Sequence, residues 1–461
     1  MGRRFRCGPS YLLAQRRQSQ PTDARCHTHF SGRVAGWLIC YSGCLWQGDG
    51  WLLLGIEQIS SLLSCAAMDE SEVVIASVAR TPVGSFLGSL SSLSGPQLGA
   101  IAIRAAVERA RLAAGDVDEL IMGQVLSSGA GQAPARQAAL GAGLPVSVPC
   151  TTVDKVCGSG LYAVMQARRA IALGEAKVVV AGGMESMSQA PYLLPGARQG
   201  YRMGHQRAID SLIYDGLWDP YNNQHMGNLG ELCARKLRIS RQAQDDYAVR
   251  SYERAQAAQR LGKFAEEMVA VEIERRRNTE IVDADEEVGR FERARVESMP
   301  PVFQADGTIT VVNSSKISDG AAAVVLMSRA EAERRGCPVL ATWIAEASFA
   351  QDPAWYSTAP AEAIRRVAEK GAITVGEIDL FEINEAFAVV VLAAMEELGL
   401  SEERVNVYGG AISLGHPIGC SAARTLVTLI SALRASEREW GCVSICLGGG
   451  EAVAGLVRRE G

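Results

Sequence analysis

The chain reads as an α/β protein of two similar halves, the first interrupted by a loop-rich insertion, and three features predict this. Runs rich in Val, Ile and Ala alternate with helix-periodic stretches over residues 72–186 and again from 337 onward, the pattern of a sheet with helices on its faces. Residues 187–316 lose that alternation. Late in the chain, a Cys-Ser helix start, an apolar helix, a strand and a Gly-rich turn recur in the order seen earlier, which indicates an internal duplication.

Residues 1–67 stand apart. They hold seven Arg and no Lys, with only Asp23, Asp49 and Glu57 as acids, and the two later acids interrupt the most apolar part before it reaches membrane-spanning length. The Arg bias weakly resembles a mitochondrial transit peptide, although no amphipathic helix is evident. Regular patterning begins at Met68-Asp69-Glu70, so Met68 reads as the native start and the upstream part as a non-family extension. Cys26-His27-Thr28-His29 and Cys40 with Cys44 carry metal-ligating atoms, but no second ligand pair follows at zinc-finger distance, and no metal site is expected.

From Glu72 the patterns predict a strand over Val73 to Ser77, a helix over Leu98 to Ala113, a strand from Leu120 to Leu126 and a helix through Ala135 to Leu140. A helix opens just after Cys157 and runs to Gly174. The strand Val178 to Ala181 follows, ending in Gly182-Gly183-Met184-Glu185-Ser186. The inserted part carries a long charged helix from about Ser240 to Leu261. Alternation resumes with a strand at Gly320 to Met327. Past Arg335-Gly336 come strand Val339 to Ala345, helix Ala361 to Lys370, strand Leu380 to Glu382 and helix Ala388 to Leu398. Gly419-Cys420-Ser421 then starts an apolar helix, followed by strand Cys442 to Leu447. The expected divisions are an N-terminal half 68–186, a loop subdomain 187–316, the end of the first half with a linker 317–336, and a C-terminal half 337–461.

Composition narrows the function classes. With 461 residues, 48% hydrophobic content and a net charge of −5, the chain suits a well-packed globular protein of two or three subdomains, without the basic excess that draws nucleic acid or anionic membrane. Twelve cysteines without disulfide-framework spacing fit a reducing compartment and free thiols.

Four segments carry groups able to do acyl-transfer chemistry. Cys157 lies in Asp154-Lys155-Val156-Cys157-Gly158-Ser159-Gly160 at a helix N-terminus, whose unpaired N–H groups and dipole favour a thiolate; the flanking glycines are expected to clear space for a ligand. His416, one of five histidines, sits in the Gly-rich stretch 409–419. Cys446 ends a strand before Gly448-Gly449-Gly450. Asn384-Glu385-Ala386-Phe387 forms a polar strand-to-helix turn that reads equally as a helix cap.

With these segments in order, together with Gly182-Gly183-Met184-Glu185-Ser186-Met187-Ser188 and Gly415-His416-Pro417, the chain resembles the thiolase family over residues 72–461. The resemblance implies a layered αβαβα fold and an acetyl-CoA C-acetyltransferase of the acetoacetyl-CoA type that joins two acetyl units through an acyl-cysteine. By that resemblance Cys157 is acylated, His416 activates it, and Cys446 exchanges the α-proton. One oxyanion hole would comprise His416 with a water held by Asn384, and the other the N–H groups of Cys157 and Gly448. His225 and Met226, with Ala386 and Phe387, would line the acyl and pantetheine end of the pocket. Ser315 would contact the pantetheine arm, with Phe303 and Arg290 beside the nucleotide. The chain departs from the family pattern at Val311-Val312, where small residues are usual and bulk is expected to narrow the channel, at Ser318, and in a shortened Ser298-Met299-Pro300-Pro301.

The same resemblance implies acetyl-CoA, acetoacetyl-CoA and CoA as ligands, no metal or redox cofactor, and a homodimer or homotetramer. The expected location is the cytoplasm, or the mitochondrion if residues 1–67 are a transit peptide. Two alternatives stand beside this one: a broad 3-ketoacyl-CoA thiolase of fatty-acid degradation, and a silent protein that only binds acyl-CoA.

Overall fold

The computed structural model describes residues 72–461, together with the backbone of four short strands nearer the N-terminus. Those strands, Phe30–Val34, Trp37–Cys40, Cys44–Gln47 and Gly50–Leu53, form an antiparallel meander in a unit of their own. The side chains of Cys26, His27, His29, Cys40 and Cys44, and the expected start at Met68, lie outside the described residues.

In the main unit, ten strands build one sheet: β1 (Val73–Arg80), β2 (Gly84–Ser85), β3 (Glu119–Gly123), β4 (Cys150–Val153), β5 (Val178–Ser186), β6 (Ser318–Ser328), β7 (Ala341–Ala350), β8 (Leu380–Ile383), β9 (Trp440–Leu447) and β10 (Glu451–Arg459). Their order is β8-β9-β10-β7-β1-β6-β5-β3-β4, with β2 beside β6. The two half-sheets pair through β7 and β1, where Ala341 faces Ile75 and Thr342 faces Val74. On each side of that seam the order repeats: β1, β6, β5, β3 match β7, β10, β9, β8. In both halves the matching outer pairs, β3 with β5 and β8 with β9, are parallel. The duplication read from short motifs is therefore a duplication of sheet topology.

Two helices fill the space between the half-sheets. Helix α1 (Ser159–Ala172) and helix α2 (Ile418–Ser436) pack on each other, and every residue of α2 from Ile418 to Leu433 is buried. A helix buried on all sides has no need of a polar face, which explains its nearly continuous apolar run. Leu161, Met165, Leu426, Ile430, Val179, Val324, Ile445 and Val453 form one core across both halves. Helices Gly95–Arg109 and Ala359–Lys370 cover the outer faces, completing the five layers.

Glycines set the closeness of these layers, and here two expectations change. Gly182 and Gly183 belong to β5, which runs on to Ser186 past its expected end at Ala181. A Cβ on Gly182 would stand 2.0 Å from the Ala322 carbonyl oxygen, and one on Gly183 would stand 2.1 Å from that of Gly419, so only glycine lets the strand pass its neighbour and the start of α2. Likewise, Gly158 and Gly160 make room for protein: a Cβ on Gly158 would meet Leu447, and one on Gly160 would lie 2.9 Å from the Ala423 nitrogen. Neither clears space for a ligand.

Between β5 and β6 the chain contributes no strand to the main sheet. Helix α3 (Met226–Leu237) and the charged helix α4 (Arg241–Arg260) start at His225 and Ser240, whose side chains accept hydrogen bonds from Gly227 N–H and Ala243 N–H. Helix α5 (Ala388–Leu398) matches its expected span.

Candidate active site

Cys157 stands on a short, tightly tied turn between β4 and α1. Asp154 Oδ1 accepts from Val156 N–H (2.9 Å), Ser159 Oγ accepts from Lys155 N–H (2.8 Å), and the same hydroxyl donates to the Val156 carbonyl (2.6 Å). These bonds hold Val156 at φ 46°, a left-handed conformation unfavourable for a β-branched residue, immediately before the thiol. Lys155 also forms an ion pair with Glu451, which fastens this turn to the β9–β10 hairpin of the other half.

That hairpin supplies two more groups. Cys446 lies buried in β9, and Gly449 and Gly450 turn the chain at φ 86° and 80°. Gly448 has open space where a side chain would be; the nearest atom to its Cβ position belongs to Val156, at 3.5 Å. The N–H groups of Cys157 and Gly448 both favour the thiolate form of Cys157.

His416 precedes α2, after Gly415 at φ 116°, where a Cβ would strike Ser318 Oγ at 2.4 Å. Its Nδ1 lies 2.6 Å from Ser421 Oγ. That hydroxyl donates to the Pro417 carbonyl at 2.9 Å, so it accepts from His416, and Nδ1 carries the ring proton. Nε2 is left as the lone-pair nitrogen, 3.5 Å from Asn384 Nδ2. Asn384 is fully buried, and its Oδ1 has no protein partner.

Electrostatics corrects the expectation of a resting thiolate. Burial pushes the Cys157 thiol up to about 12 against the pull of the two N–H groups, and burial lowers His416 to about 3, helped by the Arg424 charge. The resting pair is thus neutral thiol and neutral imidazole, the forms in which a base can take the proton at the moment of attack. Cys446 is raised well above its ordinary value by burial and by the charge that a Cys157 thiolate would carry.

A cleft of about 490 Å³ leads to this centre. His416 and Ile418 line the cleft, and Cys157 packs against the apolar cluster that contains Ile418 and Met187, both of which line it. His225, Phe303 and Phe387 form one wall: the His225 ring stacks on Phe303 at 4.8 Å, and Phe303 meets Phe387 edge-on at 5.9 Å. Gly227 is required beneath Phe303, since a Cβ there would lie 2.3 Å from the ring. His225 Nδ1 accepts from Gly227 N–H (3.1 Å), so Nε2 holds its proton as a donor.

Ser315 and Arg290 line the cleft as well, but the Arg290 guanidinium is engaged by Glu286 and, at 3.4 Å, Glu287. Met226 and Ala386 do not line it. They pack behind its wall, with the Met226 carbonyl accepting from Tyr356 Oη (3.1 Å) and the Ala386 carbonyl accepting from Ser315 N–H (3.0 Å). Of the two valines, Val311 faces the cleft while Val312 turns into the core.

Three residues here carry the geometry without having been assigned a part from sequence. Ser421 fixes the imidazole. Glu185, fully buried, accepts from Val125, Leu126 and Gly419 N–H groups and so ties the start of α2 to the ends of β3 and β5. Glu385, also buried, accepts from Tyr247 (2.7 Å), Ser251 (2.8 Å), Asn406 (3.0 Å) and Ile412 N–H (3.0 Å), fixing the turn that bears Asn384. The signal for Ser421 was its place five residues after His416, one turn into the helix.

Two half-sheets around paired helices, with a cysteine, a histidine and a second cysteine at their ends, define an acyl-transferring α/β enzyme. The chain belongs to the thiolase family: residues 73–330 match "Thiolase, N-terminal domain" and residues 337–459 match "Thiolase, C-terminal domain". It is 50% identical to acetyl-CoA acetyltransferase 1 of Arabidopsis thaliana over 84% of this chain and 94% of that protein. It is 48% identical to the acetyl-CoA acetyltransferase of Cupriavidus necator over 85% of this chain and all of that one, and 47% identical to the mitochondrial acetyl-CoA acetyltransferase of Bos taurus over 84% and 92%.

Proposed function

We propose that the protein is an acetyl-CoA C-acetyltransferase, joining two acetyl-CoA into acetoacetyl-CoA and CoA and running in reverse by thiolysis. The observation that carries this reading is His416 in the cleft wall with Nε2 unprotonated, beside a Cys157 that packs on the cluster containing Met187 and Ile418 of the same wall and lies within electrostatic reach of Cys446. In the first half-reaction His416 Nε2 takes the Cys157 proton as sulfur attacks the thioester carbonyl. The N–H groups of Cys157 and Gly448 stabilise the oxyanion, and the departing CoA thiolate takes the proton from His416, leaving acetyl-Cys157.

Burial holds Cys446 protonated, and once Cys157 is acetylated no thiolate can form there to oppose a charge on Cys446. Cys446 then passes its proton to His416 and takes the α-proton of the second acetyl-CoA. The enolate oxygen receives hydrogen bonds from the imidazolium and from a water held by the unpartnered Asn384 Oδ1. Carbon attack on acetyl-Cys157 expels the Cys157 thiolate, which recovers its proton from His416. Cys446 ends the cycle holding the substrate's α-proton in place of its own, so every proton is accounted for without a metal or redox group, and CoA thioesters are the only small molecules required.

The aromatic wall of His225, Phe303 and Phe387 supports short acyl groups over the broad 3-ketoacyl alternative. Comparing kcat/KM for acetoacetyl-CoA and a long-chain 3-ketoacyl-CoA tests this, and preference for the long chain would overturn it. Edge strand β4, whose outer backbone groups face no other strand among the described residues, supports pairing with a second copy, which sedimentation measures. The seven free thiols among the described residues suit a reducing compartment, which we take to be the cytoplasm, or the mitochondrion if residues 1–67 act as a transit peptide.

A further inference from the structure

Lys316 lies in the cleft wall between Ser315 and Ile317, and none of the steps above uses it. Its side chain folds back over its own loop. Nζ donates to the Val311 carbonyl at 2.6 Å and to the Ser314 carbonyl at 2.7 Å, and stands 5.7 Å from the centre of the Tyr252 ring. Among the described hydrogen bonds no other donor reaches either carbonyl.

Among the described residues no carboxylate makes ion-pair contact with the ammonium, and the carboxylates that act on it do so at a distance. Burial draws it down to about 8, while Glu287 and Glu385 act only through space in the opposite direction. A cation facing two carbonyl dipoles and an aromatic face organises the loop that supplies them. The backbone of the same residue reaches the catalytic base, because the Lys316 carbonyl accepts from His416 N–H at 2.9 Å. On the far side, Ser315 N–H is bonded to Ala386, and Asn313 Nδ2 donates to Asp245 at 2.8 Å. The ammonium therefore closes the one side of loop 311–316 that these backbone and side-chain bonds leave open.

We propose that Lys316 is a positioning residue whose ammonium acts as an internal cation, clamping residues 311–316 so that Ser315 faces the thioester arm and the Lys316 carbonyl holds His416. This rests on reading the cleft as the acyl-CoA site.

Acetoacetyl-CoA thiolysis by full-length wild type, Lys316→Ala and Lys316→Met, each with and without methylammonium, tests it. Loss of two hydrogen bonds from a charged donor should raise KM for the thioester roughly ten-fold in Lys316→Ala, with a smaller fall in kcat. Methylammonium should restore KM in Lys316→Ala and leave wild type unchanged. It should not help Lys316→Met, whose side chain fills the space. A Lys316→Ala protein with wild-type thermal midpoint and wild-type KM overturns the clamp, as does a raised KM that methylammonium leaves unaltered. Absence of thiolysis in the wild type would instead refute the functional reading, and CoA binding by calorimetry in the same three proteins would still judge the clamp.

Discussion

The proposed mechanism has His416 act as a base, which its geometry permits because its proton is placed by Ser421 and its charge is suppressed by burial. Replacing Ser421 by Ala removes the acceptor for Nδ1–H, so the ring can rotate or change tautomer. Acetylation of Cys157 should slow about ten-fold, with thermal stability falling by no more than about 1 kcal/mol, measured by rapid-quench acetylation and by melting. Cys157 pushed up to about 12 and His416 lowered to about 3 also set a pH signature. A neutral pair neither gains nor loses a proton between about pH 5.5 and about pH 8, so the acetylation rate should be flat there, and an acidic limb near the ordinary imidazole value of about 6.5 would contradict the assignment. Replacing Cys446 by Ala should leave acetyl-Cys157 formation within about three-fold of wild type while condensation falls by at least about a thousand-fold. Comparable loss of both steps would contradict the division between the two thiols. At this scale the sequence placed Cys157, His416, Cys446 and Asn384 in recognisable motifs. It could not disclose protonation, since the dipole favouring a thiolate lies in local sequence whereas the desolvation opposing it comes from residues distant in sequence, such as Val125, Leu212 and Ile418.

Close contact between elements is what the glycines of the motifs serve. Gly160 sits where α1 crosses α2, and its replacement by Ala weighs two effects. Alanine gains up to about 1 kcal/mol of helix propensity, but its Cβ would stand 2.9 Å from the Ala423 backbone nitrogen, which cannot step aside. Overpacking of about 1–3 kcal/mol should win, so chemical denaturation of Gly160→Ala should show net destabilisation. A more stable variant would mean that the helices can separate slightly. Gly182-Gly183 concealed the last part of β5 for a related reason. Paired glycines signal the end of a strand when only local preference is weighed, whereas here they are strand residues chosen by the Ala322 and Gly419 carbonyls, which are distant in sequence. Helix α5 was legible because Val, Leu, Ala and Met at helical spacing end in Gly399 at φ 64°, a local stop signal.

For the whole molecule, the alternation and the repeated motif disclosed two α/β halves, but not the seam at which β7 and β1 share only two residue pairs, because strand neighbours are set by three-dimensional order. Folding also buries carboxyls at a cost that depends on pH. Burial raises Glu185 to about 7 and Glu382 to about 8, and neither Glu382 oxygen has a hydrogen-bond partner, with Arg424 Nη1 4.0 Å away. Both folded values lie above the ordinary 4.5, so the native state holds protons that the unfolded chain has released. Stability should therefore fall as pH rises from about 4.5 through about 8, and Glu382→Gln should flatten that fall in denaturation curves at about pH 5.5 and about pH 8.5. An unchanged slope would place the proton elsewhere.

The central claim is that Cys157 carries the acetyl group, and trapping that intermediate tests it most directly. Protein mixed with acetyl-CoA, quenched in acid and digested should yield one acetylated peptide, the one containing Cys157, and the same peptide should lose the label when CoA is added before quenching. In Cys157→Ala no acetylated peptide should form while the protein stays folded. Acetylation of Cys446 instead, or undiminished thiolysis by the Cys157→Ala protein, would contradict the account.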